Sequence, residues 1–422
     1  MLKPLLFMVL ATAVVARRSP NADYVENWLK ENGNHGFTPE VIEDALLDAP
    51  GLIEKYGYPV EIHKLTTPDN YVLEVHRIPY GRDQNNEPDP NKPVVLVMHG
   101  LISSSAEFVV QGPEIALGYA LAEAGYDVWL GNARGNFYSR ENLYLDPNDR
   151  RNPEFWRFSW DEIGNIDLPV TIDHILEVTG HSKLHYIGHS QGCTIFFVLN
   201  SLRPEYNEKF ISVHAMAPAA FFLYSNDFFT RLVAPYSTAI EVLSETVGYN
   251  DVFGNRALLT WFGINFCKEG DLIHSICVSM LIAEGDIEYF NTTLTPVVYG
   301  HSPAGSSVRQ AFHYLQGTYT REFRRYNHIP IVNIERYGQA VPPSYDLSLV
   351  TAPINVHYSL GDATADYRDI YHLVERLPNV VGMHQIERTA FSHRDFVWGI
   401  DAKEQVYDKV INLMREAEAK LK

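Results

Sequence analysis

Ser190 stands in Gly188-His189-Ser190-Gln191-Gly192, and a serine set between glycines at this spacing is the pattern of a nucleophile elbow. A strand-like run, Lys183 to Ile187, leads in, and an apolar helix-like run from Cys193 to Leu202 leads out. That is the strand-turn-helix setting such a turn requires. Side chains at 188 and 192 would collide with neighbouring backbone, so both positions require glycine, and Ser190 Oγ is pushed out where it can attack a carbonyl. The bland alternative is a glycine-rich turn, since the pentapeptide can arise by chance in a chain of 422 residues.

A serine hydroxyl is a weak nucleophile at neutral pH, so the chain must also supply a base, an acid that orients it and donors for an oxyanion. Pro93 to Met98 reads as a buried strand that ends in His99-Gly100-Leu101. A glycine there lets the chain bend beneath a substrate, so the amides of Leu101 and Gln191 are the expected oxyanion donors. Ile354 to Ser359 reads as a strand followed by Gly361-Asp362, which makes Asp362 the orienting acid. Asp366 and Asp369 compete for that role from a helical run, Asp366 to Leu377. After the strand-like run Val380 to Ile386 comes the loop Phe391-Ser392-His393-Arg394-Asp395. His393 is the expected general base, with His384 and His372 as rivals, because it completes the chain order Ser, Asp, His.

Positioning these residues takes a sheet. Eight strands are expected in a mainly parallel α/β arrangement, with Tyr126 to Leu130 beside those already named. Val60 to Thr66 and Tyr71 to Ile78 are joined by Pro68-Asp69-Asn70, too short for a crossover, so they form an antiparallel hairpin. Pro113 to Ala124 reads as a helix. Ser159 and Glu162 form a capping box for a helix that Pro169 kinks or restarts and Gly180 ends. The last helix is expected to be capped by Asp401 and Glu404, with Val406, Val410, Leu413 and Met414 on the face against the sheet. Between the strand Phe210 to Met216 and the strand at Ile354 the alternation breaks. Residues 219–345 hold 21 aromatics in 127 residues and a net charge of −3, and read as a mostly helical cap or lid inserted into a core of 55–218 and 346–422. An apolar, weakly charged cover over a serine suits a substrate from an oil–water interface, although many of these aromatics are the cap's own core.

The stretches around these positions resemble the acid lipase family, which takes in gastric and lysosomal acid lipases and many insect digestive lipases. The resemblance rests on Gly57-Tyr58-Pro59, the run Tyr71 to Pro79, HGLISSS from His99, GNARGNFYSR from Gly131, FSWDEIGNIDLPVTID from Phe158, GHSQG from Gly188 and DFVWGIDAKEQVYD from Asp395. It implies an α/β-hydrolase core, Ser190 as nucleophile with Asp362 and His393 as partners, and Leu101 and Gln191 as oxyanion amides. It also implies a disulfide between Cys267 and Cys277. Phe391-Ser392-His393 stands where the family more usually carries Tyr-Asn-His. The function implied is hydrolysis of neutral lipid esters, triacylglycerol first and cholesteryl or other lipid esters second. A lipid-binding or storage protein of the same fold, and a general carboxylesterase, are the alternatives.

Composition sets further bounds. Lys3 precedes thirteen residues, Pro4 to Ala16, whose only polar member is Thr12. This reads as a secretory signal peptide over 1–16, too short for the ~20 residues that span a bilayer. No comparable run follows, so no transmembrane segment is expected. Residues 17–54 form an N-terminal segment with short helices and no nameable chemistry. Asn291-Thr292-Thr293 is an N-glycosylation sequon. A secreted protein is expected, with the lysosomal lumen as the alternative; no retention tetrapeptide ends the chain. Removing 1–16 shifts the net charge from −18 to −19, which disfavours nucleic acid and anionic membranes as partners. The three cysteines have no metal-site spacing, Cys193 reads as a buried free thiol, and no metal or cofactor is expected. Oligomeric state, acyl-chain preference and pH optimum are not set by the sequence.

Overall fold

Thr67 and Asn70 close the turn between β1 (Glu61–Thr66) and β2 (Tyr71–Ile78), which pair antiparallel from Thr66↔Val72 to Glu61↔Arg77. Asn70 takes φ +69° there, a left-handed conformation that asparagine tolerates better than most residues. The computed structural model describes residues 36–224, 234–268, 270, 273–282 and 285–421. The expected signal peptide, and residues 17–35 of the N-terminal segment, lie outside the described residues. The remainder of that segment forms α1 (Pro39–Leu46) and α2 (Ala49–Lys55), N-capped by the side chains of Thr38 and Asp48.

Apolar runs make the middle of the sheet. β3 (Val94–Met98), β4 (Asp127–Leu130) and β6 (Leu184–His189) are buried along their whole length, as strands covered on both faces must be. β7 (Phe210–Met216), β10 (Ile354–Tyr358) and β11 (Val380–Gln385) complete the order β1-β2-β4-β3-β6-β7-β10-β11, parallel from β4 onward. All eight expected strands form. The two-residue β5 (Glu141–Asn142) pairs with β2 as a ninth. Parallel neighbours bring the carboxyl ends of β3, β6 and β10 to one rim, where the loops carrying Leu101, Ser190 and Asp362 begin.

Helices cover the faces. α3 (Leu117–Glu123) starts later than expected, because Pro113 to Ala116 form turns. The Ser159–Glu162 capping box is formed, and Ile163–Asp167 then winds as a π-turn before α4 (Leu168–Thr179). Pro169 follows the π-turn directly, so the helix continues through it, and Gly180 ends the helix at φ +72°. α5 (Gln191–Leu202) follows the elbow and is almost wholly buried.

Between β7 and β10 the chain makes α6 (Ser237–Thr246), α7 (Arg256–Phe266), α8 (His274–Ile282), α9 (Thr295–His301), α10 (Val308–Thr320) and α11 (Pro330–Tyr337). A minimal ribbon, β8 (Asp251–Val252) with β9 (Ser306–Ser307), is tucked among them. Cys267 and Cys277 form a disulfide joining the end of α7 to α8. α12 (Tyr367–Val374) lies between β10 and β11, and α13 (Asp408–Ala419) closes the chain with Val410 and Met414 buried. The expected cap at Asp401 is not made: its carboxylate takes two 3.0 Å hydrogen bonds from Arg388 instead. A guanidinium fork is a stronger partner for a carboxylate than a single helix amide. Among the described residues no helix is long and apolar enough to cross a membrane.

Candidate active site

β6 runs straight to Ser190, which takes φ +53° and ψ −114° as the chain reverses into α5. Ser190 N donates to the Met216 carbonyl at 3.0 Å, and the Ser190 carbonyl accepts from Cys193 at 2.9 Å, which starts the helix. Neither flanking glycine has room for a side chain. A Cβ on Gly188 would lie 2.7 Å from the Gly192 carbonyl carbon, and one on Gly192 would lie 2.2 Å from the Met98 carbonyl oxygen. The strain at Ser190 is therefore held by close packing of β3 against β6.

The loop after β3 passes directly beneath the serine. A Cβ on Gly100 would come 3.3 Å from Ser190 Cβ. The amides of Leu101 and Gln191 have no hydrogen-bond acceptor among the described residues, which leaves both free to bind an oxyanion. His99 fixes this loop. Its Nε2 accepts from Ala133 N at 3.1 Å, so its Nδ1–H donates to the Gly100 carbonyl at 2.7 Å. Burial pushes the His99 pKa down, with Glu107 acting the other way, consistent with a neutral ring. Asn132 supports the loop from below, accepting from Ser105 N at 2.9 Å and from Asn136 Nδ2 at 2.9 Å. Arg134, wholly buried, binds Asp167 and Asp69 and lies over the Tyr71 ring at 4.0 Å. Much of the GNARGNFYSR string thus acts as scaffold for the segment from His99 to Ser105.

Asp362 and His393 meet. His393 Nδ1 lies 2.8 Å from Asp362 Oδ2, while Asp362 Oδ1 accepts from Thr364 N at 2.9 Å and Ala365 N at 2.7 Å. A carboxylate oxygen accepts, so Nδ1 carries the hydrogen, which in the neutral ring leaves the lone pair on Nε2. The rival acids are engaged elsewhere. Asp366 caps α12 and pairs with Arg368. Asp369 takes the amides of Leu223 and Tyr224, and burial lifts its pKa to about 6. Of the rival bases, His384 bonds Asn355 and stacks on His357, and His372 meets the Phe221 ring edge-on. His189 bridges the two halves of the site: its Nε2 donates to the His393 carbonyl at 3.1 Å. The Ser190 hydroxyl makes no hydrogen bond to His393 here, a contact that commonly tightens only when substrate is in place.

Several residues at the site carry no motif. Glu107 is buried against His189 at 2.6 Å; a lone acid in the apolar run Ala106 to Val110 signals a buried partner, because an unpaired one would be costly. Gln191 Nε2 donates to Gln310 Oε1 at 2.7 Å, tying the elbow to α10. Asp395 Oδ2 accepts from Ser392 N at 2.7 Å and pairs with Arg388. Away from these groups, Asn291 is half-buried and its Oδ1 accepts from Thr293 Oγ1 at 2.7 Å. Cys193 is a buried free thiol whose pKa burial pushes up. Among the described residues no three His, Cys, Asp or Glu side chains group as a metal site.

Comparison with known proteins agrees with this architecture. The family described as a partial alpha/beta-hydrolase lipase region matches residues 49–112, and the alpha/beta hydrolase fold matches residues 93–233. Lipase 1 of Drosophila melanogaster is 40% identical over 377 residues, which cover 88% of this chain and 80% of that protein. Gastric triacylglycerol lipase of Bos taurus is 37% identical over 377 residues, covering 88% and 92%. A solved protein of Sulfolobus solfataricus, assigned as a lipase, superposes with a TM-score of 0.56 at 15% identity, over 85% of this chain and 94% of its own, and bears on the fold alone. With its sheet order, its elbow and these relatives, the chain belongs to the lipase family of α/β hydrolases, serine ester hydrolases that include the gastric triacylglycerol lipases and fly lipases.

Proposed function

We propose that the chain is a lipase that hydrolyses carboxylic esters of neutral lipids, triacylglycerol first and cholesteryl or other lipid esters second, through an acyl-enzyme on Ser190. Ser190 Oγ attacks the ester carbonyl carbon while its proton passes to His393 Nε2, and Asp362 stabilises the imidazolium. The amides of Leu101 and Gln191 bind the oxyanion. The C–O bond to the alcohol then breaks, and His393 returns the proton to the leaving oxygen. Water attacks the acyl-enzyme with His393 again as base, which releases the fatty acid and restores Ser190.

The observation that carries this reading is Ser190 held at φ +53° on its elbow, joined through His189 to a His393 whose Nδ1 lies 2.8 Å from Asp362. Residues 55–218 and 346–422 form the catalytic core on this account, and 219–345 the cap or lid. Val242, Leu243, Val247, Leu258, Trp261 and Met280 in that segment are exposed, an apolar surface suited to an oil–water interface. Removal of a signal peptide over 1–16, secretion and glycosylation at Asn291 fit the disulfide, which belongs to an oxidising compartment.

Fatty-acid release from emulsified triolein and cholesteryl oleate, and from a short-chain ester on either side of its solubility limit, tests the proposal. Triolein should be cleaved, and the short-chain rate should rise beyond the limit. No release from any ester would identify a lipid carrier, and no rise at the limit a carboxylesterase.

A further inference from the structure

Both ring nitrogens of His189 face acceptors in a buried setting. The residue is 3% exposed; its Nδ1 lies 2.6 Å from Glu107 Oε1 and its Nε2 3.1 Å from the His393 carbonyl oxygen. A carbonyl has no proton to give, so Nε2–H is the donor on that side. Burial opposes ionisation of Glu107, but its contact with His189 and a hydrogen bond from Ser103 outweigh it and hold the carboxyl below its ordinary range. His189 Nδ1 and Glu107 Oε1 share a hydrogen across 2.6 Å, so the ring is tied at Nδ1 as well as at Nε2.

The polar groups around the pair are engaged elsewhere. His99 is fixed as a neutral acceptor by Ala133 N, and the Tyr407 hydroxyl donates to the Phe396 carbonyl. Beyond His393, Asp362 is occupied by the His393 ring and two amides, and Asp395 by Arg388 and Ser392. The pair also joins three separate stretches. Glu107 sits on the turn Ser105–Phe108 that follows Leu101, His189 precedes the nucleophile, and the bonded carbonyl belongs to His393 itself. The His189 and His393 rings are 4.9 Å apart between centroids.

We infer that Glu107 and His189 are positioning residues: a buried, hydrogen-bonded pair that clamps the His393 main chain and sets the base loop, the elbow and the oxyanion loop in register. The inference rests on the serine mechanism proposed above. Neither residue touches the ester. Their effect lies in where His393 stands relative to Ser190, and a displacement of about 1 Å in such a site can cost on the order of 100-fold in rate.

Turnover of soluble 4-nitrophenyl butyrate and ¹⁵N-histidine NMR of the intact protein test this. H189L, which has no donor for the His393 carbonyl, should lower kcat by ~10- to 100-fold with KM within about twofold. H189Q, whose amide N–H can still reach that carbonyl, should recover most of the loss, a rescue that a purely structural defect would not give. The wild-type spectrum should show a histidine Nε2–H protected from solvent exchange, absent from H189Q. A wild-type kcat in H189L, or a wild-type residue 189 with no protected Nε2–H, would overturn the clamp. If H189L does not fold, the wild-type spectrum and the kcat of E107Q, expected to fall with KM within about twofold, still decide. S190A separates the two levels: if it turns over, the serine mechanism fails, whereas if it is dead and H189L is unimpaired, only the clamp fails.

Discussion

Arg388 and Asp401 are joined by two 3.0 Å hydrogen bonds, and the same guanidinium lies 3.1 Å from Asp395, so one arginine ties both ends of the turn that follows His393. It also packs over the rings of Tyr289 and Phe391, at 3.8 and 4.6 Å. Asp395 in turn accepts the Ser392 amide, so the chain on either side of His393 is anchored by one cation.

Removing that cation leaves two largely buried carboxylates facing each other. Arg388→Met should therefore destabilise the protein by about 3 kcal/mol, read as a fall in the denaturation midpoint, and should slow turnover as the His393 loop loosens. Arg388→Lys should recover little, because an ammonium cannot make the fork that Asp401 receives. Equal stability in Arg388→Met and wild type would show that the pair is immaterial.

The sheet also carries a prediction about acid. His214 and His357 lie on adjacent strands, Nδ1 to Nε2 3.2 Å apart, and His357 stacks on His384. Burial, reinforced by His384 and Lys409, pushes the His357 pKa down to about 3. A histidine depressed in the folded state binds fewer protons there than in the unfolded chain. Its contribution is full above the unfolded value and is lost as pH falls from about 6.5 toward the folded one. Between pH 8 and pH 5 the wild type should thus lose about 2 kcal/mol more stability than His357→Asn. Asp161 and Asp369, raised to about 6 chiefly by burial, act in the opposite sense in both proteins and cancel in the difference. Parallel pH profiles for the two proteins would contradict the assignment.

How much of this was legible in the sequence follows from how local each determinant is. Much of the elbow is local: Gly188 is needed because of backbone four residues on, and the flanking strand and helix declare themselves by composition, whereas Gly192 is required by Met98 on β3. The central strands are apolar runs bounded by turn residues, β1 instead alternates polar with apolar residues, and the Ser159–Glu162 box is local too. Asp401 misled because a carboxylate ahead of a helix reads as a cap, whereas Arg388 reaches it only through the path of the loop. Glu107–His189 and Gln191–Gln310 are likewise invisible, since their partners are 82 and 119 residues apart and no periodicity links them.

The disulfide yields a further expectation. It closes a separation of 10 residues between α7 and α8, and Cys267→Ser with Cys277→Ser should cost about 3 kcal/mol by the loop-entropy estimate. Thermal unfolding with and without reductant would measure it; a midpoint unmoved by reduction would show that the helices hold this segment unaided.

Gly192→Ala probes the elbow without touching a reacting group. A Cβ there would sit 2.2 Å from the Met98 carbonyl, which is backbone and cannot swing away. The variant should be destabilised by about 1–3 kcal/mol and should lose most of its turnover, since β3 and Ser190 must shift together. Wild-type activity would show that the turn has room that the structure does not.

The most direct test of the central claim is mass-spectrometric mapping of the protein after reaction with a fluorophosphonate ester. The account predicts a single adduct on Ser190, formed slowly in Asp362→Asn and still more slowly in His393→Ala, with S190A unlabelled and inactive on fatty-acyl esters. An adduct on another residue, or turnover persisting in S190A, would contradict it.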